Sequence, residues 1–285
     1  MTSKTGAEDT EVFNMKTRRL TGVVSAIAFI VILLLPPMVF TVALGIVGLV
    51  MLYECYLVAK ISKKVKFAGY LCAIMFMLTA YGCINMPQYS KWDSIIEVVA
   101  IFTILVHMIL IVKEHSKIKY SEVLSNGFLT VYITISVICI FFIKERFGLL
   151  NMLLLFICAW GTDTFAYFGG RFFGKHKLIE HVSPNKTVEG AISGVVGTTI
   201  LCALYLYFVY DMQILCLVYG AIIGSLGSIF SQIGDLSASA IKRDAQVKDF
   251  GKIFPGHGGF LDRFDSVIFI APIIYVLICA LHNGI

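Results

Sequence analysis

Residues 188–236 read VEGAISGVVGTTILCALYLYFVYDMQILCLVYGAIIGSLGSIFSQIGDL. Two apolar runs, 188–209 and 213–236, are divided by a brief polar step at Asp211 and Gln213. Each is long enough to cross a bilayer as a helix, which takes about 20 mostly apolar residues. The whole chain has the same character. Its 285 residues are 58% hydrophobic and only 14% charged, against about 25% charged in soluble domains. With a mean hydropathy of +0.87, the expectation is an all-α polytopic integral membrane helix bundle.

Working outward by the same criterion places about nine spans, near 20–35, 38–59, 67–86, 95–113, 122–143, 148–169, 188–209, 213–236 and 262–282. Pro36-Pro37 separates the first two, because neither proline continues a helix without losing hydrogen bonds. Residues 1–19 form a polar N-terminal tail with Glu8, Asp9 and Glu11, which lacks the basic start and short apolar core of a secretory signal. Residues 20–285 are expected to form a single membrane-embedded domain, with polar motif loops near 170–187 and 237–261.

Lys4, Lys16, Arg18 and Arg19 lie in the tail, and the other basic residues gather in alternate loops. Only Lys91, Lys144 and Arg146 fall on the opposite side. By the positive-inside rule the N-terminus and both motif loops face the cytosol, which places the protein in the cytoplasmic membrane. The eight cysteines all lie in apolar runs and none forms a CxxC pair, so they read as small buried hydrophobes.

The chemistry is concentrated in Ser239–Ser266, SAIKRDAQVKDFGKIFPGHGGFLDRFDS. Lys242, Arg243, Lys248, Lys252 and Arg263 supply cations, and Asp244, Asp249, Asp262 and Asp265 supply carboxylates. Between them Pro255–Gly259 can bend sharply and bring N–H groups close to a ligand. Such a segment suits a polyanion. Just before it, Asp235 sits at the end of the eighth span, where a carboxylate at membrane depth costs about 2.5–3.5 kcal/mol and usually has a function. Asp262 and Asp265 share one face of the ninth helix near its N-terminus, so helix capping is the plain alternative for Asp265. For Asp235 with Asp262, hard-metal ligation is the better account, since carboxylate oxygens suit Mg²⁺.

Asp163 is a further carboxylate at membrane depth, with Tyr167 one turn on; an interfacial aromatic plus an interhelical hydrogen bond explains the pair equally well. Ser183-Pro184-Asn185-Lys186-Thr187 followed by Glu189 also reads as a helix start. Glu54 and Glu97 either line a lipid cavity or pair with polar groups of the bundle.

Ser239-x-Ile241-Lys242-Arg243, then Lys248-Asp249 and Gly251, then Pro255-x-His257-Gly258-Gly259-x-x-Asp262-Arg263-x-Asp265 resembles the signature of phosphatidate cytidylyltransferases, the CDP-diacylglycerol synthases. A second segment is similar to the same family: Asp163-Thr-Phe-Ala166-Tyr167, Gly170-Arg171, Gly174-Lys175 and Ser183-Pro184-x-Lys186-Thr187-x-Glu189-Gly190. The resemblance covers the C-terminal half, while the first half offers only hydrophobic spans.

It implies transfer of a cytidylyl group from CTP to phosphatidate, a membrane lipid, giving CDP-diacylglycerol and pyrophosphate. It implies Mg²⁺ at Asp235 and Asp262, with Asp249 a metal or substrate contact, and leaves open a second cation such as K⁺. Lys242, Arg243, Lys248 and Arg263 would offset phosphate charge, and His257 would contact phosphate. Ser239, Gly258, Gly259 and Asp265 join the substrate site. So do Asp163, Tyr167, Arg171, Lys175, Ser183, Lys186, Thr187 and Glu189. No nucleic-acid partner is expected, and a homodimer is left open.

Other readings fit less well. Gly169-x-x-x-x-Gly174-Lys175 resembles a P-loop, but His176 replaces the required Ser/Thr and no strand precedes it. There is no Asp-Gly pair, which argues against the CDP-alcohol phosphotransferases. A cytidylyltransferase for an isoprenoid ether lipid would show the same headgroup site. A transporter would predict matched halves with discontinuous helices, and no internal repeat is visible.

Overall fold

The computed structural model describes residues 22, 24, 27–84, 92–115, 117–254, 256 and 258–284. The tail at 1–19 and two motif residues, Pro255 and His257, lie outside the described residues. Helix α1 is described over residues 27–34. After Pro36 come α2 (Pro37–Val58), α3 (Lys63–Ile84), α4 (Trp92–Lys113) and α5 (Tyr120–Phe156). A π-helical turn (Ile157–Gly161) leads into α6 (Thr162–Phe173), then strands β1 (Lys177–Ile179) and β2 (Ser183–Thr187). Helices α7 (Val188–Val209), α8 (Ile214–Asp244) and α9 (Leu261–Gly284) complete the chain.

Among the described residues, five helical stretches are long and apolar enough to cross a membrane: Pro37–Val58, Tyr120–Phe173, Val188–Val209, Ile214–Asp244 and Leu261–His282. Their apolar character runs all the way round. On α2, Met51 and Leu52 are buried while Val42 and Ile46 are exposed. A helix apolar on every side belongs in a core or a membrane, and the outward apolar residues here face away from the rest of this chain. The molecule is an integral membrane helix bundle.

Pro37 begins α2 at the first helical position, where its missing N–H costs nothing. The spans expected at 122–143 and 148–169 belong to one helical stretch, broken at Gly148 (φ 84°, ψ 172°). That backbone conformation is open to glycine and strained for other residues, so the chain turns there just after the polar Lys144, Glu145 and Arg146, which are still helical. Helices α5 and α9 form the buried centre, where Ile133, Phe142 and Ile143 meet Ile270, Ile274 and Ile278. Helix α8 lies against α7 so closely that a Cβ at Gly224 would fall 2.8 Å from the Thr198 carbonyl oxygen and the Thr199 Cα. Small residues permit this approach in membrane bundles.

Two departures from the sequence reading bear on the site. Helix α8 runs to Asp244 rather than 236, so Ser239, Lys242 and Arg243 lie on a helix and not in a loop. Its 31 residues span about 46 Å at 1.5 Å per residue, well beyond a hydrocarbon core of about 30 Å. The loop expected near 170–187 contains an antiparallel hairpin, with Lys177 opposite Thr187 and Ile179 opposite Ser183. Both segments are too polar for a hydropathy window to register as ordered structure.

Candidate active site

The loop between α8 and α9 turns back on itself, with the Phe254 N–H donating to the Gly258 carbonyl at 2.9 Å. Gly256 (φ 75°) and Gly258 (φ 84°) supply the left-handed backbone that this turn requires. Gly258 is needed for space as well. A Cβ there would meet the Asp262 Oδ2 at 3.0 Å and the Asp249 Oδ1 at 3.2 Å.

Asp262, in the first turn of α9, holds this loop in place. Its Oδ1 accepts from Lys242 Nζ at 2.8 Å. Its Oδ2 accepts from the N–H of Phe250 at 2.8 Å and of Gly259 at 3.0 Å. The Asp262 side chain is 5% exposed and that of Lys242 14%, so the pair is largely shielded from water. Lys242 also lies over the Phe250 ring, 5.3 Å from its centre. The cation, the carboxylate and the folded loop therefore depend on one another.

Asp235, on α8, pairs with Lys186 of β2. Asp163 on α6 and Asp265 on α9 stand close enough to Asp235 to interact with it electrostatically. The π-helical turn Ile157–Gly161 immediately precedes the helix that carries Asp163; such turns re-aim the residues that follow them and recur at functional sites.

The hairpin side is built differently. The Glu189 carboxylate accepts from the N–H groups of Lys175 and His176 at 3.0 and 3.2 Å, and meets His176 Nδ1 at 2.6 Å. Thr187 caps α7, its Oγ1 accepting the Gly190 N–H at 3.1 Å. Arg243 Nε reaches the Val182 carbonyl at 3.5 Å and ties the end of α8 to the hairpin. Arg171, Lys175 and Tyr167 on or just after α6 are exposed, as are Lys248 and Asp249 in the loop. Ser183 and Ser239 are half-buried.

A cavity of about 810 Å³ joins these parts. One end is lined by Asp163, Asp235, Lys242, Asp262, Arg263 and Asp265. The rest is apolar, with walls from α1 (Phe29, Leu33), α2 (Leu44, Val47, Met51) and α5 (Val137, Met152, Phe156). Six residues singled out from the sequence thus meet at the mouth of an apolar chamber formed largely by the first half of the chain. Arg171, Lys175, Lys248 and Asp249 are not part of its lining.

Glu54, whose role the sequence left open, is 1% exposed. Its two oxygens accept the N–H groups of Phe260 at 3.0 Å and Leu261 at 2.8 Å. Nothing in the sequence pairs residue 54 with residue 260, although a glutamate inside an apolar span was the signal that it had a partner. Glu97 is exposed on α4.

Among the described residues, no group of three or more His, Cys, Asp or Glu is gathered tightly enough to hold a metal ion unaided. Mg²⁺ needs no such cage, because it keeps several waters and is usually bound by one or two carboxylates plus substrate phosphates. The carboxylate-rich end of the cavity fits that donor set.

An apolar chamber with four aspartates, Lys242 and Arg263 in its lining defines a site built inside an integral membrane helix bundle. The model of the cytidylyltransferase family matches residues 16–281. The chain is 35% identical over 274 residues to the phosphatidate cytidylyltransferase of Bacillus subtilis (strain 168), covering 93% of this chain and 98% of that one. It is 36% identical over 271 residues to the Staphylococcus aureus (strain COL) phosphatidate cytidylyltransferase, covering 93% and 99%. The chain belongs to the cytidylyltransferase family.

Proposed function

We infer that this protein transfers a cytidylyl group from CTP to phosphatidate, forming CDP-diacylglycerol and pyrophosphate. The observation that carries this is the cavity: its apolar walls suit acyl chains and its polar end suits a phosphate headgroup meeting a nucleotide. The Bacillus subtilis and Staphylococcus aureus relatives, both phosphatidate cytidylyltransferases, support the same reading.

A phosphate monoester has a second pKa near 6, so phosphatidate enters largely as a dianion and needs no general base. One of its oxygens attacks the α-phosphorus of CTP, and the bond from that phosphorus to the bridging β-phosphate oxygen breaks. The electron pair leaves with pyrophosphate. The obstacle is charge, because an anion attacks an anion, so catalysis consists of neutralisation and in-line positioning. Lys242 and Arg263 at the polar end would face the phosphates, with Lys186, Arg243 and Lys248 as further cations. Backbone N–H groups of the glycine turn around Gly258 would add donors.

Asp235 and Asp262 would hold Mg²⁺, with Asp249 as a further contact. When bound, the ion would neutralise developing charge on the phosphate oxygens. Asp235 carries an ion pair with Lys186 and Asp262 one with Lys242, so each lysine would be freed toward phosphate as a cation takes its place on the carboxylate. A second cation such as K⁺ would be held, with substrate phosphates, beside the same carboxylates. The motif loops would face the cytosol, where CTP is available, and the lipid would enter sideways from the inner leaflet.

Purified protein in liposomes with labelled CTP, phosphatidate and Mg²⁺ tests the reading. CDP-diacylglycerol should form, and should be lost on chelation and in Asp235→Asn and Asp262→Asn. Folded wild type that makes no product would reject the activity. Turnover surviving both substitutions would reject the metal assignment alone.

A further inference from the structure

Glu54 lies near the end of α2, in an otherwise apolar helix, yet its carboxylate is buried and committed to a distant part of the chain. The N–H groups it receives, from Phe260 and Leu261, belong to the residues at which the glycine loop becomes α9. The first N–H groups of a helix have no partner within it, and negative charge is favoured there. Here the partner comes from another helix, while the neighbouring Gly259 N–H goes to Asp262. Three consecutive N–H groups are thus taken by two carboxylates.

The fit is close on the other side too. A Cβ at Gly251 or Gly259 would collide with the Glu54 carboxylate. Both ends of the folded loop therefore rest on this one side chain. Three residues earlier on α2, Met51 lines the apolar chamber, as Val47 and Leu44 do. The helix that forms the acyl wall also sets the height of the headgroup loop.

We propose that Glu54 is a positioning residue for cytidylyl transfer: it clamps the glycine loop and the start of α9, with Asp262, Arg263 and Asp265, in register with the apolar wall of the cavity. The clamp needs two acceptor oxygens at full glutamate reach. Glutamine offers one and turns its NH₂ toward the other N–H. Aspartate is one methylene too short. A misplaced loop would still bind both substrates but hold the reacting atoms out of line, so the loss should fall on kcat. This proposal rests on the reading of the site as a cytidylyl-transfer centre.

The test compares wild type, Glu54→Gln, Glu54→Asp and, as a packing control on the same helix, Cys55→Ala. Steady-state kinetics with CTP and phosphatidate are measured alongside hydrogen–deuterium exchange of the peptide covering 250–262. Expected for Glu54→Gln is a monodisperse protein whose kcat is lower by roughly tenfold or more, the effect of holding the reacting groups slightly out of line. KM for phosphatidate should change little and exchange in 250–262 should be faster. Cys55→Ala should keep the wild-type kcat and exchange in that peptide.

Wild-type kcat in Glu54→Gln would overturn the proposal, and so would a loss matched by Cys55→Ala at equal thermal stability. Should Glu54→Gln fail to fold, Gly251→Ala decides, because its Cβ displaces the loop from an intact Glu54. It should show the same kcat loss and faster exchange, and normal turnover there overturns the clamp. Absence of product from wild type would instead reject the underlying reaction.

Discussion

Asp262 accepts one bond from a shielded lysine and two from backbone N–H groups, so its substitution should affect stability and turnover separately. Removing one partner of a buried ion pair costs about 3–5 kcal/mol, whereas replacing both is far milder. Asp262→Asn should therefore lower the melting temperature in detergent, and Lys242→Met added to it should restore part of the loss. Turnover should stay down by about 100-fold or more in both, the scale seen when a preorganised electrostatic contact is removed. Recovery of activity together with stability would make Asp262 a purely structural clamp. Gly258 offers a second test at this scale. With φ at 84°, Gly258→Ala carries about 1–2 kcal/mol of backbone strain, and its Cβ presses on the Asp249 and Asp262 carboxylates. Proteolytic nicking of the 245–260 loop should accelerate as activity falls.

At the scale of elements, the hairpin between α6 and α7 depends on two small devices, the Thr187 cap and the Glu189 bracket. Thr187→Ala should cost about 1 kcal/mol and raise protease sensitivity at 177–187, while Thr187→Ser should not. Neither device was separable in the sequence from substrate binding, because Ser, Thr and Glu near a helix start serve capping and phosphate contact alike. Helices α7 and α8 were legible in outline, since two apolar runs divided at Asp211 admit little else. The break near Pro36 was legible because proline acts locally. The two polar turns that end α8, the hairpin and the π-helical turn before Asp163 were not, since hydropathy counts residues and does not register hydrogen-bond pattern. The motif residues were readable as a group because their types are costly near a membrane. Which carboxylate holds which N–H is a matter of tertiary folding, and no local rule contains it.

For the whole molecule, the chamber joins an apolar wall from the first half of the chain to a charged end from the second. Leu44→Trp would fill part of that wall without touching the charged end. It should lower kcat/KM for a long-chain phosphatidate relative to a short-chain one by at least about tenfold, read from competition between the two lipids. Equal loss for both would place the acyl chains elsewhere. Sidedness is also testable. Lys252 is exposed in the loop, and the described cysteines lie within helices, nearly all buried. A membrane-impermeant maleimide should label Lys252→Cys above the wild-type background only after the cell membrane is opened.

The bonds from Glu54 to Phe260 and Leu261 span 206 and 207 residues, and this has a consequence for biogenesis. At about 5–20 residues per second, α2 leaves the ribosome roughly ten to forty seconds before the N–H groups that will occupy its carboxylate. Throughout that interval Glu54 is without the two N–H partners that it has in the folded protein. Those partners arrive with α9, so a chain stalled before α9 would still carry a bare carboxylate made some 206 residues earlier as the sign that it is unfinished.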